Sequence, residues 1–298
     1  MSTEKQELSP LDAMLAQYAA NNAPKAPKFT PAKVYDLKNY FNTFIEKEVK
    51  SAIKEIRLLP SPNGGSPIDQ FHGHKYELDG GWKVAPCLKH ENGEACPFCE
   101  AREALLATGD ANDKELAKKF SPKLIYVAKV IDRKNEDEGV KFWRFNHDYR
   151  KEGIFDKIQG TIAGLKKNRD ISDPELGRDL SISINRNMNG IPVVSSITPL
   201  DSDALTEDEA KKAEWLSDTR TWRDVYAIKN YAFLEIIVRG GVPVWSKELG
   251  KLVDKNATPE APVDDTEDEG TIGLESLKTL TPATGEDEGS DEPDDMPF

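Results

Sequence analysis

Six side chains able to bind a metal crowd residues 72 to 99: all three cysteines of the chain (Cys87, Cys96, Cys99) and three of its four histidines (His72, His74, His90). Cys96-Pro-Phe-Cys99 supplies two thiolates from one knuckle, a metal or redox spacing. A structural zinc ion takes four ligands at the corners of a tetrahedron. Cys87 is the third. The fourth is open among His90, which makes a compact Cys87-x2-His90 knuckle, His74, which closes a larger loop, and His72. Four protein ligands leave no position for a catalytic water, so the expected cofactor is one structural Zn2+. Three thiols cannot all pair within one chain, and the expected compartment is reducing and cytoplasmic.

A second group of residue types runs from Tyr126 to Arg169, where aromatics and cations interleave. A protein that holds a single strand without sequence preference needs aromatic faces for bases and cations for phosphates. On a strand, Lys141, Trp143 and Phe145 share one face and Phe142 and Arg144 the other. Tyr126, Lys129, Tyr149 and Arg150 join them as candidates, with Lys166, Lys167 and Arg169 for phosphates.

The elements that must position these groups read as mainly β. Lys50–Leu59 is a strand candidate ended by Pro60, and SPNGGSP is a turn. Residues 123–131 and 139–145 are strand candidates, followed by shorter ones at 179–184 and 191–198 around the Asn189-Gly190 turn. ALTEDEAKKAEWLS reads as a helix with a Thr206/Glu209 capping box, while 222–238 fits helix or strand. Short strands with turn signals around a metal subdomain give an α+β chain with a mainly β core. The expected form is an OB-fold barrel with an inserted zinc subdomain at about 72–100 and helical additions.

The core also resembles the single-stranded DNA-binding protein family of T-even-type phages. The matching blocks are Ile56-Arg57-Leu58-Leu59-Pro60-Ser61, His74, Trp82, the CPFC knuckle, Glu138-Gly139, Trp143-Arg144-Phe145 and Ile154-Phe155-Asp156-Lys157-Ile158, in that order across roughly residues 50–200. The resemblance implies the OB fold with its zinc insertion. It implies His74, thirteen positions before Cys87, as the zinc histidine, and places Trp143, Arg144 and Phe155 near the groove. Residues 146–153 look like an insertion, and the family's basic N-terminal motif is not recognisable here.

Outside this core, residues 1–28 read as a short helix (8–20) and a Pro-rich linker, an arm expected to contact a neighbouring protomer; 29–253 is the expected DNA-binding core. Residues 254–298 carry 15 acidic residues against two lysines, which accounts for the whole net charge of −13 and leaves the body neutral. Such a tail cannot bury enough apolar surface to fold alone, and the expectation is disorder. Tethered to a basic groove it would compete with DNA, and Asp294, Asp295, Met296, Pro297 and Phe298 form a hook for replication and recombination proteins. P-loop, HExxH, GxSxG and Gly-rich dinucleotide motifs are all missing, no run spans a membrane, and the N-terminus lacks a signal pattern. The reading is a non-enzymatic protein that coats single-stranded DNA in phage replication, recombination and repair, located in the cytoplasm of a bacterial host if viral. The competing reading is a zinc-containing adaptor that contacts only proteins.

Overall fold

The computed structural model describes residues 37–256, Asn63 and Asn168 excepted. The N-terminal arm and the acidic tail, including Asp294 to Phe298, lie outside the described residues.

The described chain is mixed α+β, built on an eight-stranded sheet. Its strands are β1 (Tyr40–Phe41), β2 (Ser51–Leu58), β3 (Ile68–Leu78), β4 (Gly81–Pro86), β5 (Lys123–Asp132), β6 (Val140–Asn146), β7 (Arg178–Arg186) and β8 (Pro192–Ser202). A separate hairpin joins β9 (Pro243–Ser246) to β10 (Lys251–Asp254). The helices are α1 (Leu88–Asn92), α2 (Pro97–Ala107), α3 (Ala111–Lys119), α4 (Ile154–Gly164), α5 (Glu209–Leu216), α6 (Trp222–Val225) and α7 (Tyr231–Val238). Among the described residues no helix is long and apolar enough to cross a membrane.

β5 is the hub. One edge pairs along its length with β6 (Ile125↔Asn146 to Ile131↔Val140), and the other is divided: β3 takes Lys123 to Ala128 and β2 takes Val130 to Asp132. A strand so surrounded must be apolar on both faces, and KLIYVAKVID is, with β-branched residues throughout. The order then runs β1-β6-β5-β2-β7-β8, and among the described residues no pairing joins β8 back to β1.

Alternation sorts side chains into two layers. Tyr126, Ala128 and Val130 of β5, Trp143 and Phe145 of β6, and Leu180, Ile182 and Ile184 of β7 form the main core with Ile154 and Ile158 of α4. Ser181 and Ser183 point the other way on β7. On the opposite face of β5 and β6, Ile125, Val127 and Phe142 meet Phe71 and are covered by Trp222, Val225 and Tyr226.

The β3–β4 hairpin carries the metal region. Its turn, Asp79-Gly80, has positive φ at both residues (55° and 75°), the form that suits a two-residue connection. At Gly73, β3 passes from β5 to β4; a Cβ there would lie 2.8 Å from Val84 Cγ1 and 2.9 Å from Ile125 Cδ1. A side chain there would push on both neighbours, and His74 follows Gly73.

Two sequence expectations change. The 209–216 helix is capped by Asp208, whose carboxylate accepts from the Ala210 and Lys211 amides. Thr206 instead accepts from Asp208 N at 3.2 Å, a local turn bond, because Asp208 sits two residues closer to the helix and takes the cap. The capping box lies at Thr221/Asp224, and the ambiguous 222–238 stretch divides into α6 and α7.

Candidate metal centre and nucleic-acid interface

His72, His74 and Tyr76 share the face of β3 that meets α2. Cys87 ends β4 and precedes α1, tied back by its amide to His72 O at 2.7 Å. Cys96 is the N-cap of α2, Pro97 occupies the first position, and Cys99 lies in the first turn. The helix N-terminus favours negative charge at both sulfurs. His74 Nε2 lies 3.5 Å from Cys96 Sγ and 3.7 Å from Cys99 Sγ; Cys87 Sγ lies 3.9 Å from Cys96 Sγ and 3.6 Å from Cys99 Sγ. All four ligand atoms fall within 4.8 Å of one another and all four residues are buried.

These are the edges of a tetrahedron. A metal about 2.3 Å from each sulfur and about 2.0 Å from nitrogen separates sulfurs by about 3.8 Å and sulfur from nitrogen by about 3.5 Å. They are far too long for disulfides. The cluster can therefore hold a metal and is compatible with structural zinc. His74 is stacked on Phe98 (centroids 4.8 Å, 15°), which fixes its ring. Bonds from Cys87 and Cys99 hold the Cys96 thiol far below its usual range, while the same three-sulfur contact, to Cys87 first, pushes Cys99 far above. One thiolate accepting from two thiols is what this trio does with protons alone; a cation would let all three ionise.

His90 and His72 stand outside that tetrahedron. His90 Nδ1 is 3.2 Å from Cys87 Sγ, and the two rings stack at 4.7 Å. Burial first, then His72, keep His90 below its ordinary pKa and thus neutral.

The sequence-predicted nucleic-acid residues separate into three places. Trp143 is 1 % exposed in the main core, edge-on to Phe41 and beside Phe145; a base cannot reach its face without opening the sheet. Lys141 is buried and paired with Glu138 at 2.6 Å and Asp132 at 3.4 Å. The odd-numbered face of β6 is thus core, not groove. A second place gathers Tyr126, Tyr149, Arg150 and Phe155. Tyr126 lies flat on Phe155 (4.2 Å, 5°) with its hydroxyl 3.1 Å from His147 Nδ1, and Tyr149, 70 % exposed, meets His147 edge-on. Arg150, Lys166 and Lys167 are exposed.

The third place is the even-numbered face of β6, which shares a layer with Lys129. Here a cleft of about 400 Å³ opens between β3, β5, β6 and the segment entering α6, bordered by Gln70, Lys129, Phe142, Arg220, Trp222 and Arg223. Ligand pockets are commonly this size. Lys129 Nζ donates to Asp218 O at 2.6 Å and lies 5.8 Å from the Phe142 ring; Arg220 pairs with Asp218 at 2.6 Å. Arg144 lies 5.3 Å over Tyr226, and Arg223 4.5 Å over Trp222, which stacks on Phe71 at 4.5 Å. Burial raises the Asp69 pKa, against the pull of Lys129.

Of the predicted residues, only Lys129 and Arg144 lie in this layer. Arg220, Trp222, Arg223 and Phe142 were not singled out. The Thr-Arg-Thr-Trp-Arg run at 219–223 carried the signal, since it interleaves cations with an aromatic.

Residues 50–193 match the family model described as gp32 DNA binding protein like, just under half of the chain. No curated protein matches it. The matched segment holds all four metal ligands and strands β3 to β6. Over this core the chain is therefore similar to gp32-like DNA-binding proteins.

Proposed function

We propose that this protein binds single-stranded DNA without sequence preference, on the face of the sheet that carries Lys129, Arg144, Arg220, Trp222 and Arg223. The observation that carries the reading is that a DNA-binding family match and a cationic, aromatic cleft fall on the same strands. A bound strand would meet Lys129 and Arg220 with its phosphates and the exposed guanidinium of Arg223, which lies over Trp222, with a base, the two kinds of contact that sequence-independent binding needs.

In this reading the four-ligand cluster holds one zinc ion that is structural. It fixes the β3–β4 hairpin and α2 to each other and takes no part in chemistry. The β core acts as an OB-type platform. The acidic C-terminal segment competes for the cleft when DNA is scarce, and its Asp294-Asp295-Met296-Pro297-Phe298 tip recruits replication, recombination and repair proteins once DNA displaces it. Residues 1–28 link neighbouring protomers along the strand. The protein protects exposed single strands by covering them and catalyses nothing.

The test is a fluorescence-anisotropy titration of labelled oligo(dT) across a salt series, with the full chain and with residues 1–256. Binding with a slope near −0.7 per contacted phosphate supports the reading, and tighter binding by the truncation at low salt supports tail competition. Absence of binding by both forms overturns it in favour of a protein-only adaptor. Equal affinities remove the tail's competing role alone.

A further inference from the structure

The metal loop reaches into the cleft through one residue. α1 lies between Cys87 and Cys96, and its C-terminal turn holds Arg223: Nη2 donates to Glu91 O at 2.8 Å and Nη1 to Asn92 Oδ1 at 3.1 Å. The Glu91 carboxylate stands farther off, 3.6 Å from Nη2, because it accepts from the His72 amide at 2.8 Å. Arg223 is thus anchored to α1 by these two bonds, with the Glu91 carboxylate at ion-pair distance. Its guanidinium lies on Trp222, which lies on Phe71 at an angle of 18°. The result is a three-layer stack, Phe71, Trp222, Arg223, whose last layer is a planar cation with a side chain 43 % exposed. Phe71 and Trp222 are themselves buried, at 1 % and 7 %.

The geometry points to Arg223 as the residue that receives a base or sugar-phosphate unit at the mouth of the cleft, with α1 of the metal loop as its positioning element. This rests on the single-stranded DNA reading above. A guanidinium plane offers a base a flat partner and a phosphate a two-pronged donor. Trp222 could not serve directly, because Arg223 covers its outer face. The anchoring bonds come from α1, whose ends are set by Cys87 and by the turn before Cys96, so the metal cluster's loop orients a DNA contact without touching DNA.

Three variants of the full chain decide the matter, read by oligo(dT) anisotropy at fixed salt with thermal melts as folding controls. Arg223→Ala is expected to weaken binding roughly tenfold, the scale of one lost stacking contact. Arg223→Lys, which keeps the charge and loses plane and fork, is expected to stay within about twofold of the alanine variant. Asn92→Ala removes one anchor and is expected to weaken binding about threefold in the native background and to have no effect when Arg223 is already alanine. Full recovery by lysine would make Arg223 a point charge and overturn the platform. Equal effects of Asn92→Ala in both backgrounds would overturn the positioning. If the native chain binds DNA while Arg223→Ala binds equally well, the inference falls and the function stands; if the native chain does not bind at all, both fall.

Discussion

The metal cluster and the cleft are built from the same sheet by opposite rules. The cluster is closed: four ligands from a 26-residue stretch, all buried, with atoms spaced for one small ion. The cleft is open, and its parts come from distant segments, with Lys129 on β5 meeting Asp218, from beyond α5, which in turn binds Arg220. Its cations are held by short-range partners that a phosphate could replace. A closed cluster minimises exchange with solvent, whereas under the proposed function a cleft for a long, non-specific polymer keeps its charges within reach of it. The difference predicts that damage to the cluster costs stability first, and damage to the cleft costs affinity first.

The largest effect should follow Cys96→Ser or removal of the metal. Tyr76, Leu88, Phe98 and Leu105 pack around the ligands, so the loss propagates through α1 and α2. Metal-binding free energy in such sites is folding free energy, on the order of 10 kcal/mol in small zinc peptides. Several kcal/mol should disappear from global stability, with lost helical circular dichroism and a stoichiometry of one metal per native chain by elemental analysis. A chelated protein that melts like the loaded one would erase the distinction.

How each region could be read from sequence follows from the same contrast. The ligand cluster was legible because its members are close in the chain and chemically rare. Even there, spacing alone left His74, His90 and His72 open; in the structure His74, just past the crossing at Gly73, is the histidine that lies among the sulfurs of Cys96 and Cys99. The cleft was legible only in its strand half. Lys129 and Arg144 fell within the expected stretch, but alternation could not say which face of β6 was core. Trp143, a large aromatic beside cations, looked like a stacking residue and is core because β5 buries both of its own faces. The Asp79-Gly80 hairpin was not singled out, although Asp-Gly is a two-residue hairpin signal. α2, α3 and α4 were not anticipated, since short helices with weak stripes owe their stability to tertiary packing.

Trp143 gives the next largest effect. Trp143→Ala should cost about 3–5 kcal/mol through the cavity it leaves, while Trp143→Phe should fold and bind oligo(dT) with native affinity. Trp fluorescence quenched by DNA should survive in Trp143→Phe, since a buried indole is not the reporter. Loss of quenching in that variant would move the interface to the other face of β6 and break the comparison.

In the cleft, Lys129→Ala should cost about 1 kcal/mol of stability through its lost bond to Asp218 O and weaken DNA binding by about 1 kcal/mol, with the salt slope shallower by about 0.7, the signature of one phosphate contact. Double-jump salt titrations of native and variant chains read both numbers. A large loss of stability with an unaltered slope would make Lys129 a structural cation, like Lys141.

The smallest effect concerns Asp218 and carries the comparison down to a single carboxylate. Burial alone would raise its pKa, but hydrogen bonds from Arg220 and the nearby Lys129 outweigh burial and leave it below the ordinary value. A carboxylate depressed in the folded state stabilises the fold above its unfolded pKa, about 4, and that contribution is lost as pH falls through the lower folded value. Asp218→Asn should therefore melt below the native chain at pH 6, and the gap should close as the pH drops under about 4. At neutral pH the same substitution removes the negative charge beside Lys129 and Arg220 while leaving the Lys129 bond to the main-chain carbonyl, so oligo(dT) should bind severalfold tighter even as the fold weakens. That opposite movement belongs to a cleft whose cations are held in reserve; parallel losses of stability and affinity would mean that Asp218 shapes the site instead of competing for it.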